Sequence, residues 1–328
     1  MSRRVESGDD NGTRERGSTF PIQVPPSFAF LRTVYSHGWF DLAPFEWDLD
    51  RRALHRVVLA PGGRPRAISI SEGKGSSLEI ALHGGGAAGP RVRDDVARQV
   101  RHMFRLDEPF GDFHVVCRSM EGYAWVADAK AGPLLRAPDV FEDLVKMICT
   151  TNCTWALTRV MTSALVREMG EPVSGDSGRR SFPTAEAMAS RPERFFVSKI
   201  KAGYRAAYLR ELAKRVASGA LSPSTWLNPS MPLEEIRKEI ASVKGAGRYV
   251  ADNVLKLVGR YDGLGIDSWC RRKFSETRRG GRPVTDKVIE KFYAPFGAWK
   301  GLALWCDLTR DWFDGDLPDA LRLQTGKF

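Results

Sequence analysis

Residues 233–243 and 248–259 each place apolar side chains at helical spacing, and between them stands Lys244-Gly245-Ala246-Gly247. A connector that short joins two helices only by folding the second back beside the first. Glycine serves it where the turn needs positive φ or a close backbone approach. Pro232 leads into the first helix as a favoured first-turn residue, and Gly259 ends the second. Such a turn leaves unpaired backbone N–H groups at the start of the second helix, and the helix dipole adds to their pull on an anion. Lys244 and Arg248 flank the turn with positive charge. By itself the pattern fits equally well a plain helical connector.

The rest of the chain divides around this hairpin. Residues 57–59 and 67–70 are apolar runs on either side of a Pro-Gly-Gly turn and predict a β-hairpin. Another strand, 78–82, ends at Gly84-Gly85-Gly86, and residues 94–104 carry Val96, Val100, Met103 and Phe104 at helical spacing. Helical patterns dominate from there. Residues 141–169 carry a helical pattern whose continuity around 150–154 stays open, with a long helix after it, and a Gly/Ser/Arg-rich link covers 174–181. Thr184 is placed to N-cap the following helix, and another spans 204–218. The layout is α+β, a small N-terminal antiparallel β-sheet domain at 19–135 followed by an all-α domain at 136–328. Residues 1–18 have no apolar h-region, so they predict a disordered tail rather than a secretory signal.

Charge locates the partner more sharply than the total does. The chain carries 50 Lys+Arg against 40 Asp+Glu, a net of +10. Residues 199–282 hold 18 basic and 8 acidic residues, so the whole excess lies around the hairpin. An acidic partner, nucleic acid first among them, is expected there. All five histidines fall within the first 114 residues, which leaves the basic half carboxylates, amines and hydroxyls for its chemistry and excludes a His-ligated zinc site within it. No apolar run reaches the ~18–20 residues of a bilayer span. Five scattered cysteines do not make a disulfide framework, and a reducing cytoplasmic setting is expected. Cys149 and Cys153, at i and i+4, have no third ligand near them in sequence, so no metal is expected.

After Gly259 the loop Tyr261-Asp262-Gly263-Leu264-Gly265-Ile266 leads to Asp267. This series of helix, glycine hairpin, helix, short loop and aspartate resembles the helix-hairpin-helix DNA glycosylase superfamily. The resemblance makes Asp267 the catalytic carboxylate; the residue is also an apt N-cap for the helix that follows, and both roles are compatible. Asp262 lies earlier in the loop than the family spacing places that residue. A carboxylate suits the reaction, because breaking an N-glycosidic bond builds positive charge on the sugar. The base must first leave the duplex.

Further segments extend the resemblance over about residues 25–313. Pro138-Asp139-Val140-Phe141-Glu142 leading into Met147-Ile148-Cys149-Thr150-Thr151-Asn152 resembles the 8-oxoguanine glycosylase branch, and so does Ala202-Gly203-Tyr204-Arg205-Ala206-Ala207-Tyr208. By that likeness Asn152 fills the gap left by the flipped base, Tyr204 wedges into the stack and Arg205 contacts the orphaned base. Gly245, Gly247, Lys244 and Arg248 would grip the DNA backbone.

The departures bear on chemistry. Bifunctional members carry a nucleophilic lysine two residues after the second hairpin glycine; here that position is Tyr249, as in the monofunctional alkylated-base branch. Asn253 replaces a pocket cysteine, and Leu157 replaces an arginine that reads cytosine. Phe296 and Trp299, in an aromatic-rich stretch, are weaker candidates for the pocket wall beside Tyr249 and Asn253. Only Cys306 follows Cys270, too few for the iron–sulfur cluster of the endonuclease III branch, so no cofactor is expected. The resemblance thus implies a monofunctional DNA N-glycosylase of base-excision repair. It would be a monomer acting on duplex DNA with a damaged oxidised or alkylated purine. Two alternatives stand beside it, a non-catalytic damage-sensing protein of the same fold and a glycosylase/lyase using another amine such as Lys244.

Overall fold

A computed structural model describes residues 18–84 and 88–312. Apart from Ser18, the tail expected at 1–18 lies outside the described residues. The first part of the chain contributes β1 (Thr19–Gln23), the short helix α1 (Phe30–Val34), β2 (Glu46–Asp48), β3 (Ala53–Ala60), β4 (Arg64–Glu72) and β5 (Ser77–His83). These strands form one antiparallel sheet in the order β1-β5-β4-β3-β2. The expected hairpin is β3–β4, in which Val57 pairs with Ala67 and Leu59 with Pro65. One face of the sheet is covered by α2 (Pro90–Phe104), whose Val96, Val100, Met103 and Phe104 are buried. Gln99 Nε2 on that helix donates to the Leu59 carbonyl at 2.9 Å. The helix begins four residues before the expected start because Pro90 occupies its first turn, where a missing N–H costs nothing.

Helices α3 (Gly111–Ser119) and α4 (Ala124–Asp128) lead into the helical half. There α5 (Val140–Cys149) and α6 (Trp155–Met169) are separate helices, which settles the continuity the pattern left open at 150–154, and Thr154 caps α6. The 174–181 stretch, expected to be a link, instead forms a small hairpin of β6 (Pro172–Val173) and β7 (Asp176–Arg180). Its Gly/Ser composition belongs to a turn between two very short strands, whose alternation is too brief to be seen in sequence. Then follow α7 (Ala185–Ala189), capped by Thr184, α8 (Glu193–Ser198) and α9 (Arg205–Ala217). The hairpin helices are α10 (Leu233–Ala241) and α11 (Arg248–Leu257), after which come α12 (Ser268–Arg279), α13 (Asp286–Tyr293) and α14 (Lys300–Leu308).

Helix α5 is the hub, with every one of its residues buried. Burial on all sides demands that its polar groups be paired. Glu142 is bound by Arg56 of β3 at 3.0 Å and by Lys146 at 2.7 Å, and Asp143 accepts the indole N–H of Trp39 at 2.6 Å. These bonds tie the sheet to the helical half, and one apolar core runs through both. No helix of the described residues is long and apolar enough to cross a membrane.

Candidate active site and nucleic-acid interface

The glycine hairpin is built as its sequence requires at one glycine and differently at the other. Gly245 has φ +84°, and a Cβ there would lie 2.6 Å from Cδ2 of Tyr208, so the turn rests directly on α9. Gly247, the N-cap of α11, has φ −65° and open space where its Cβ would be. Its smallness keeps the start of α11 uncovered, as an approaching phosphate needs. Lys244 pairs with Glu211 at 2.9 Å and Arg248 with Glu290 at 2.8 Å, and both basic side chains remain exposed. Exposed pairs of this kind exchange readily for another anion.

A strip of expected DNA contacts adjoins the hairpin. Tyr208 packs edge-on against Tyr204 with ring centroids 5.8 Å apart. The Tyr204 hydroxyl accepts from Asn152 Nδ2 at 3.3 Å. Tyr204 is 52 % exposed. Asn152 adopts φ +45° in the α5–α6 loop, a conformation asparagine tolerates better than most residues. Arg205 differs from the expectation. It is 4 % exposed, donating from Nε to Thr151 Oγ1 at 3.2 Å and from Nη2 to the Thr151 carbonyl. With its head bonded this way, it braces the loop that presents Asn152 rather than reaching outward.

Beside this strip opens a cavity of about 490 Å³. Asp267 lines it, and its Oδ1 accepts the Cys270 N–H at 2.8 Å as the N-cap of α12. The cap fixes the carboxylate's orientation. The preceding loop is held in turn by Asp252, which accepts from the Gly265 N–H at 3.2 Å and from Arg237 at 2.9 Å. Asp262 is engaged by Arg237 at 2.7 Å and does not line the cavity.

Four residues of α11 line the same space, Tyr249, Asn253, Lys256 and Leu257, and the three polar ones recur at helical intervals. Burial, reinforced by the Asp267 carboxylate, pushes the Tyr249 phenol up, and a hydrogen bond to Thr150 counters only part of this. Asn253 Nδ2 donates to the Tyr249 carbonyl at 2.9 Å, while its Oδ1 accepts from Lys256 Nζ at 3.1 Å. Lys256 also donates to the Leu264 carbonyl at 2.8 Å. Burial brings its ammonium down to about 8, against the pull of Cys270, Asp252 and Asp267. Sequence reasoning missed this lysine, although its place seven residues after Tyr249 puts it on the same helical stripe.

Other lining residues come from far away in sequence. His37, Gly38 and Trp39 arrive from the N-terminal part and Trp155 from the start of α6. An imidazole therefore reaches the site despite the skew of histidines toward the N-terminus. His37 Nε2 donates to the Leu135 carbonyl, and burial lowers its pKa to about 4, so it is neutral at ordinary pH. No local signal marks these residues, because only the fold brings them across more than a hundred positions.

Phe296 and Trp299 lie elsewhere. Phe296 packs edge-on against Tyr123 at 4.7 Å, and Trp299 stacks on Tyr261 at 5.1 Å. Gly297, at φ +57°, kinks the chain within the 3-10 turn Ala294–Trp299 that precedes α14, and this turn packs toward α3. The C-terminal stretch instead sends Trp305 and Trp312 to the cavity, where they join Trp39, Trp155 and Trp269 as its aromatic walls. Cys153 Sγ donates to the Cys149 carbonyl at 3.0 Å, and the described residues hold no cluster of three or more side chains able to bind a metal.

This arrangement of antiparallel sheet, buried hub helix and glycine hairpin leading to a capping aspartate is similar in fold to solved structures of DNA glycosylases. The particular likenesses are as follows. A solved structure of MBOgg1 in complex with a low-affinity DNA ligand superposes with TM-score 0.70 at 20 % identity, covering 95 % of this chain and 99 % of that one. The 3-methyladenine DNA-glycosylase from Archaeoglobus fulgidus superposes with TM-score 0.70 at 18 % identity, over 90 % of this chain and 99 % of the other. In sequence, the chain is 25 % identical over 189 residues to an N-glycosylase/DNA lyase of Saccharomyces cerevisiae, a match over 52 % of this chain and 48 % of that protein. The match thus spans about half the length of the curated relative. No family model matches.

Proposed function

We propose that the chain is a monofunctional DNA N-glycosylase of base-excision repair, releasing a damaged oxidised or alkylated purine from duplex DNA. The observation that carries this reading is Asp267, a carboxylate oriented by its helix and opening into an aromatic-walled cavity beside Asn152 and Tyr204. The hairpin amides with Lys244 and Arg248 hold the backbone, Tyr204 and Asn152 occupy the vacated stack, and the extruded base enters between the tryptophans. Asp267 then stabilises the positive charge that grows on the sugar and orients water toward it. No cofactor takes part, and the protein works as a cytoplasmic monomer. A relative named N-glycosylase/DNA lyase and a DNA-bound structural neighbour support DNA as the partner.

A neutral phenol at position 249 supports hydrolysis without a Schiff base, since it has no amine to attack the sugar. Lys244 stands on the exposed outside of the hairpin, paired with Glu211. One observation favours a glycosylase/lyase instead: Lys256 is an amine lining the cavity. It lies two turns, about 10 Å, along α11 from Tyr249, away from the hairpin that would hold the sugar-phosphate. The test is a panel of duplexes bearing 8-oxoguanine, hypoxanthine, uracil, alkylated purines or mismatches, scored for strand scission before and after alkali. Scission only after alkali, with no adduct trapped by borohydride, is the expected result. Trapping refutes the monofunctional reading, and no base release from any duplex refutes the enzyme.

A further inference from the structure

Nothing in the glycosidic chemistry uses Lys256, yet burying an ammonium at 2 % exposure is costly unless it is paired or employed. Two of its N–H groups are taken by Asn253 Oδ1 and the Leu264 carbonyl, at 3.1 and 2.8 Å. The third has no protein acceptor among the described residues, and the side chain lines the cavity. Gly265 preserves this arrangement. At φ +63° it brings its backbone so near that a Cβ would lie 2.8 Å from Lys256 Nζ and 2.7 Å from Asn253 Nδ2. The loop leading to Asp267 is therefore moulded around the lysine.

Building on the glycosylase reading, we propose that Lys256 selects the base: its ammonium donates to a carbonyl or ring-nitrogen acceptor on a neutral, oxygen-bearing purine and excludes purines made cationic by alkylation. The reasoning is electrostatic. Tryptophan walls such as Trp39, Trp155 and Trp269 stack on any purine, and by themselves favour a cationic one. A fixed ammonium in a desolvated pocket reverses that preference, because like charges repel strongly where water is excluded. Even with its pKa lowered to about 8, Lys256 is largely protonated at neutral pH. The neighbouring Asn253 amide keeps it aimed.

The experiment compares the full-length protein with Lys256→Met and Lys256→Gln on duplexes holding 8-oxoguanine, hypoxanthine or 7-methylguanine, read as single-turnover base release. The wild type is expected to release a neutral purine faster than 7-methylguanine. In Lys256→Met the ratio of neutral to cationic release should fall about 10- to 100-fold, the worth of a hydrogen bond to a charged group. Lys256→Gln, which keeps a donor, should fall between. Melting temperature and affinity for a duplex with an uncleavable abasic analogue report on folding in each variant, so Lys256→Gln decides the question should the methionine variant misfold. An unchanged ratio, a wild-type preference for 7-methylguanine, or a borohydride adduct on Lys256 overturns the proposal. Failure of the underlying function looks different, since then no duplex loses its base at all.

Discussion

Gly38 packs directly against Trp155, so that a Cβ on Gly38 would sit nearer than 3.0 Å to Cη2 and Cζ2 of the indole. The ring has little room to yield, because its Nε1 donates to Asp41 Oδ2 at 2.8 Å. Both residues line the cavity of Asp267. Gly38→Ala should therefore push Trp155 out of the wall it forms. The cost to stability is expected to be about 1–3 kcal/mol, as for other overpacked sites. Base release should fall by roughly tenfold or more, since misplaced walls lose orientation of the substrate. Denaturant midpoints and single-turnover rates measure the two effects separately. Full activity in this variant would show that the indole does not shape the substrate pocket.

Asp267→Asn separates the two roles of that residue. An asparagine still accepts the Cys270 N–H and remains a good N-cap, so the start of α12 should survive nearly unchanged. The charge opposite the developing oxocarbenium is gone, and base release should drop by about 10²–10⁴-fold. Duplex affinity should stay within a few-fold of the wild type. A parallel loss of binding and chemistry would instead make Asp267 a structural residue.

What the sequence revealed and what it concealed divide along physical lines. The hairpin and the N-cap of α12 are local, set by glycine and aspartate at fixed offsets, and each occurs where the spacing puts it. The cavity is not local. Its walls combine His37, Trp155, Lys256 and Trp305, and composition near any one of them says nothing of the others. The aromatic tail shows the limit most plainly. Phe296, Trp299 and Trp305 look alike in sequence, but the left-handed Gly297 sends the first two to another packing site and leaves the third in the cavity.

Duplex binding should report the ion pairs around the hairpin. Replacing Lys244 or Arg248 by Gln removes one phosphate neutralisation, lowering the slope of log affinity against log salt by about 0.9 each. Glu211→Gln should do the reverse. Glu211 now holds Lys244 at 2.9 Å, and its hydrogen bond raises the lysine's pKa. Freed from that partner, Lys244 should bind DNA more tightly at low salt and lose the gain as salt rises. Fluorescence anisotropy over a salt series follows both changes. Equal slopes in all four proteins would remove the hairpin from the DNA interface.

Acid should unfold the protein partly through His37. Burial, only partly countered by the hydrogen bond to Leu135, lowers its pKa from 6.5 to about 4. Between those values the unfolded chain binds a proton that the folded chain refuses, so stability is lost as pH falls from 6.5 through 4. A shift of that size is worth about 3 kcal/mol. Asp143 works in the opposite sense. Burial raises its pKa from 3.8 to about 6 despite the bonds from Ala137 and Trp39, so its folded form takes up a proton first and stability is gained over 6 to 3.8. The wild-type curve therefore hides part of the histidine's effect. His37→Asn, which retains a donor for the Leu135 carbonyl, should lose less stability than the wild type between pH 7 and pH 4. His37→Asn combined with Asp143→Asn should lose more than His37→Asn alone. Urea midpoints across that range give both differences, and parallel curves for wild type and His37→Asn would mean that His37 takes up its proton in the folded state at an ordinary pH.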